Sequence, residues 1–117
     1  MYKQPTLKEF IDSKRPLYPS NAYVEFDGFD ALYVRHGFHY IDGELISTLD
    51  LANITASNPG SGTFTKLVDW IFENYPDTIV FVENVFNHRF EGKLDRMGFI
   101  QINDERPYCY WLAKGKE

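Results

Sequence analysis

The chain has a single cysteine, Cys109, among 117 residues. An internal disulfide is therefore excluded, and no Cys/His spacing suits a zinc site. A reducing, cytoplasmic setting is expected. No apolar run approaches the roughly 18 residues of a membrane span, and the first residues lack the apolar stretch of a secretory signal. Positive charge is also scarce. Twelve Lys and Arg face seventeen Asp and Glu, for a formal charge of −5. That excludes broad nucleic-acid coating, which needs a basic footprint, but not a small anion held in a local pocket. Repeats, low-complexity tracts and interdomain linkers are missing as well, so residues 1–117 are expected to form one domain.

Apolar material is plentiful. Ten Phe, eight Tyr and two Trp bring the aromatic share to 17%, enough ring area for a real core and too much for disorder. Aromatic-rich strands are also a possible homodimer surface.

Periodicity divides the chain into elements. Thr6 with Glu9 three residues on forms a capping-box pattern, and Leu7, Phe10 and Ile11 share one helical face, so a short helix is expected over residues 7–13. From Asn21 the period is two. Strands are expected at 22–26 and 31–35 around Asp27-Gly28, and at 38–41 and 44–47 around Asp42-Gly43, with the last running on to Thr55. Phe64, Leu67, Val68, Ile71 and Tyr75 recur at helical spacing. Residues 78–82 form a β-branched apolar run that suits a strand beside a parallel neighbour. Phe86, Phe90, Leu94 and Met97 trace another helix, capped by Asn84 or Asn87 and ended by Gly98. Residues 99–102 and 108–113 read as final strands. The class is α/β, with a mixed sheet and flanking helices.

A small, Gly-rich loop at residues 56–62 opens the long helix. Unpartnered N–H groups and the positive end of the dipole make such a start a potential anion site. A Walker loop fails, because Lys66 follows Gly62 by four residues. A dinucleotide fingerprint would need glycine at Thr65. A plain tight turn at Pro59-Gly60 and Gly62 is the reading that needs no ligand.

The wider pattern resembles the Gcn5-related N-acetyltransferase family. Residues 57–62 match its [Gln/Arg]-x-x-Gly-x-[Gly/Ala] signature at Gly60 and Gly62, with Ser57 departing at the first position. Residues 87–99 match Asn-x-x-Ala-x-x-x-Tyr-x-x-x-Gly-Phe at Asn87, Gly98 and Phe99. Phe90 replaces the small residue there, and Leu94 stands in the tyrosine position. Residues 51–54 and 82–85 also resemble small, phage-type members.

The resemblance implies a mostly antiparallel sheet whose two central parallel strands splay around acetyl-CoA. Leu51, Ala52, Asn53 and Ile54 would hold the pantetheine arm, Asn58, Gly60, Ser61, Gly62 and Thr63 the pyrophosphate, and Asn87 the arm near the second strand. An amine acceptor, on a small molecule or a protein, would attack the thioester directly, with Asp50, Glu83 or Glu44 as candidate base. The family's tyrosine donor is vacant at Leu94, with Tyr108 and Tyr110 as substitutes. Lys66, Arg89, Lys93 and Arg96 surround the phosphates or face solvent. His36, His39 and His88 show no ligand spacing and are expected at surface or strand positions. Cys109 is expected to pack as an apolar residue. The vacancy at Leu94 and the departure at Ser57 leave a second reading, a degenerate module that binds CoA or a partner protein without turnover. In a third, the domain is purely structural.

Overall fold

A computed structural model describes residues 4–13 and 20–115. Its elements run α1 (Leu7–Asp12), β1 (Asn21–Tyr23), β2 (Phe29–Ile41), β3 (Glu44–Ala56), α2 (Thr63–Asn74), β4 (Ile79–Val85), α3 (His88–Met97), β5 (Ile100–Gln101) and β6 (Tyr108–Ala113). The six strands form one sheet in the order β1-β2-β3-β4-β6-β5. Every pairing is antiparallel except β3 with β4. The α/β class and the parallel pair flanking the Gly-rich loop match the sequence expectation.

Local chemistry explains the boundaries. Thr6 and Glu9 close the capping box of α1. Asp42 (φ 52°) and Gly43 (φ 82°) turn a two-residue hairpin, whose positive φ angles suit the twist of the flanking strands. Asn87, not Asn84, caps α3, accepting from the Arg89 and Phe90 amides at 2.8 and 3.2 Å. Gly98 ends that helix in the left-handed region. Two expectations need correction. The strands expected at 31–35 and 38–41 are one continuous strand, because Gly37 keeps its pairing opposite Thr48. The first strand spans only Asn21–Tyr23; the Val24 amide still donates to the Leu32 carbonyl of β2, and it is Glu25 that turns toward the N-terminal segment, its amide donating to the Pro5 carbonyl.

The two faces of the sheet differ. On one, Leu32, Val34, Leu49, Leu51, Val80, Val82, Tyr110 and Leu112 pack against Phe10 of α1, Leu67 and Ile71 of α2, and Leu94 of α3. Each such buried side chain contributes about 1.5–3 kcal/mol relative to exposure. On the other, a small cluster of Ile41, Phe81 and Trp111 draws on strand residues alone among the described ones. Alternation along β3 puts Asp50 on this second face, opposite to Leu49 and Leu51. Near the β2–β3 turn, Phe38, Tyr40 and Leu45 are exposed.

Candidate functional site

The parallel strands stay together only briefly. Leu49 pairs with Val80, Asp50 with Phe81 and Leu51 with Val82. Beyond those pairs β3 continues to Ala56 and β4 to Val85, and a cleft of about 290 Å³ opens between them. Leu51, Ala52, Asn53 and Ile54 form one wall; Val82, Glu83, Asn84 and Val85 form the other. Residues of β3 on this edge present backbone groups to the cleft rather than to a neighbouring strand. Asn84 adopts a φ of 58° where the β4–β6 register slips between Val82 and Val85, so β4 bends away at the cleft wall.

A second cavity, of about 430 Å³, adjoins the first. Ile54, Asn87 and Phe90 belong to both walls, and Asn58, Pro59, Gly60, Gly62, Thr63 and Lys93 are among its other lining residues. Here α2 begins. Gly62, at its N-cap with φ 80°, offers no side-chain hydrogen bond, so the first amides of α2 stay available. Gly60 has φ 85°, and space around both glycines is open. Ser61 braces the loop by donating to the Asn58 carbonyl at 2.7 Å. Ser57, the departure from the family signature, donates to Asp30 at 2.7 Å and thus anchors the strand end. Open amides, glycines without crowding and the Lys93 ammonium suit a pyrophosphate. Asn87 spends its carbonyl oxygen on the α3 cap and keeps its amide nitrogen for the cavity. A cavity of about 490 Å³ near Tyr75 and Thr78 lies by the start of β4. Open α/β sheets bind ligands at the carboxyl ends of their parallel strands, which favours the cleft instead.

The second face carries a charged cluster beside the cleft. Asp50 is 1% exposed. Its Oδ1 accepts from Thr48 Oγ1 at 2.5 Å, and its Oδ2 from His39 Nε2 at 2.8 Å and Arg35 Nε at 3.4 Å. A buried carboxylate without such donors would cost several kcal/mol. The other end of the Arg35 guanidinium pairs with Glu83, which lines the cleft. The His39 ring stacks on Phe81 with centroids 3.6 Å apart and planes 3° from parallel. Gly37 completes the arrangement: a Cβ there would run into the Asp50 carboxylate.

Asp50 and Glu83 are thus joined through Arg35, while Glu44 sits at the exposed hairpin turn. Leu94 is fully buried in the core. Tyr110 is buried too, and burial pushes its phenol up from the ordinary value, with the negative charges of Asp95 and Glu91 adding to the effect. Tyr108 lies under the Arg106 guanidinium, 4.9 Å from its ring centre. His36 is structural, stacking on Phe10 and contacting its carbonyl at 3.1 Å. His88 is exposed at the Glu91–Arg106 pair. Of the four cations considered for phosphate, Lys93 lines the cavity.

His39 is the residue that spacing alone misses. A signal existed in the hairpin: counted outward from Asp42-Gly43, the register sets Arg35 opposite Asp50 and His39 opposite Ile46. Side chains of Arg35, Gly37 and His39 then share the face of Asp50. Compared with family models, curated proteins and solved structures, the chain matches none.

Proposed function

We propose that the chain is an acetyl-CoA-dependent N-acyltransferase of the Gcn5-related type, acting on a primary amine. The observation that carries the reading is the cleft between the diverging ends of β3 and β4, which adjoins the uncapped start of α2. The edge of β3 left free beyond the Leu51–Val82 pair, at Ala52–Ile54, would take the pantetheine arm as an added strand, with Leu51 at its start. Amides from Asn58 to Thr63, with Lys93, would hold the pyrophosphate, and the Asn87 amide would reach the arm. Bound acetyl-CoA supplies an activated acyl group. The protein orients it and admits the acceptor beside Asp50 and Glu83, where positioning removes much of the entropic barrier.

Leu94 favours a second reading. Its complete burial leaves the family's tyrosine donor without a counterpart at that position, as a module that binds CoA without turnover would have.

Calorimetric titration with acetyl-CoA tests the site. Wild type is expected to bind, and Gly60→Asp to weaken binding about tenfold or more, equal to about 1.4 kcal/mol, with an unchanged circular dichroism spectrum. An unaltered affinity in Gly60→Asp would remove the loop from the site. Thiol release on adding amines separates the enzyme from the module.

A further inference from the structure

We infer that His39 is the base that takes the proton from the acceptor amine, with Asp50 as the positioning residue behind it. The inference rests on the acyl-transfer reading and names the acceptor class: alkylamines, which arrive protonated at neutral pH.

The hydrogen bonds define the tautomer. An ionised carboxylate only accepts, and Asp50 collects Thr48, Arg35 and His39 as donors. The proton of neutral His39 is therefore on Nε2, and its lone pair is on Nδ1. Among the described residues, every buried side-chain nitrogen or oxygen has a hydrogen-bond partner. His39 makes its hydrogen bond through Nε2. Nδ1 is thus open to solvent, on a half-buried ring that Phe81 holds in plane.

The location suits an incoming amine. Phe81 belongs to the Asp50–Phe81 pair, one step before the strands part. The Gly-rich loop leads into α2, which packs on the opposite face, whereas the His39 face has strand residues alone in its apolar cluster. The two ligands would meet from opposite sides of the sheet. The charges agree as well. Asp50, Glu83 and Arg35 together leave one formal negative charge, which a protonated His39 neutralises.

The step balances as follows. One ammonium proton passes to Nδ1, giving an imidazolium held by Asp50. The amine lone pair forms the new N–C bond as the thioester C–S bond breaks. The second N–H proton goes to the departing thiolate, leaving amide and free thiol, and the imidazolium returns its proton to water.

Wild type and His39→Gln are compared by acetyl-CoA calorimetry and by thiol release with one alkylamine and one arylamine, the latter already neutral at assay pH. For His39→Gln, kcat/KM with the alkylamine is expected to fall about a hundredfold or more, with a far smaller loss for the arylamine and unchanged acetyl-CoA affinity. Equal losses for both amines, or none, overturn the inference and leave the acyl-transfer reading standing. Wild type that does not bind acetyl-CoA, or binds it without thiol release, overturns that reading and the inference with it. Nitrogen NMR of histidine-labelled wild type gives a test independent of turnover and of the variant's folding. Neutral His39 is expected as the Nε2–H tautomer, and the Nδ1–H form overturns the proposal.

Discussion

Leu94 shows how one residue belongs to two arguments. Motif spacing aligns it with a catalytic tyrosine, while the fold places it fully buried on the inner side of α3. Placing tyrosine there would add a ring and a hydroxyl to a filled core. Leu94→Tyr is expected to destabilise the protein by about 1–3 kcal/mol, the usual cost of overpacking. Urea unfolding followed by far-UV circular dichroism checks this; an unchanged midpoint would mean that the core opens toward the cleft at this point. Asp50 is the converse case, a charged residue kept inside because Thr48, His39 and Arg35 all donate to it.

Among the elements, α3 and the connection from β5 to β6 are joined by one charged clamp. Arg106 donates from Nε and Nη2 to the two Glu91 oxygens, both at 3.0 Å, and Nη2 also meets His88 Nδ1 at 3.0 Å. The connection is braced separately by Asn103, which accepts from the Cys109 amide and donates to the Glu105 and Pro107 carbonyls. Removing only the arginine leaves Glu91, 7% exposed, without its counter-charge. Arg106→Met is therefore expected to lower the urea midpoint more than Arg106→Met/Glu91→Met does, because breaking half of a pair costs more than removing it whole. Equal midpoints would show that the pair is solvated and energetically idle. This clamp was invisible in the sequence, since its partners lie fifteen positions apart with no periodic relation. What was legible was local: the Thr6–Glu9 box, the Asp42-Gly43 turn, the apolar stripe of α2 and the Gly98 stop all act within a turn or two. The parallel pairing of β3 with β4 followed in outline, because an apolar β-branched run suits a parallel neighbour, whereas the opening between them was implied by the family resemblance alone. The length of β2 did not, since Gly37 reads as a break until the Asp50 carboxylate occupies the space its side chain would take.

At the scale of the whole molecule, tethers between distant elements make stability depend on pH at both ends of the range. Lys8, through its hydrogen bond, is the main cause holding the Asp12 carboxyl below its usual range, and the Tyr75 hydroxyl adds to it. Arg106 does the same for Glu91. Both carboxylates bind protons more weakly when folded. Their contribution is therefore complete above the ordinary glutamate value of 4.5 and is lost as pH falls through the depressed folded values. Tyr75 has the opposite sign. Burial, then its 2.6 Å hydrogen bond to Asp12, pushes its phenol up to about 12. Its contribution is complete below the ordinary tyrosine value of 10.0 and is lost as pH rises through about 12. Urea midpoints measured across pH are expected to form a plateau between those ordinary values and to fall on both sides. Because Tyr75 joins the end of α2 to the end of α1, Tyr75→Phe should flatten the alkaline fall while leaving most of the acid one, which Glu91 still sets. An alkaline fall of unchanged steepness in Tyr75→Phe would assign it to another group. Tyr110 is then the first to test, its phenol raised chiefly by burial.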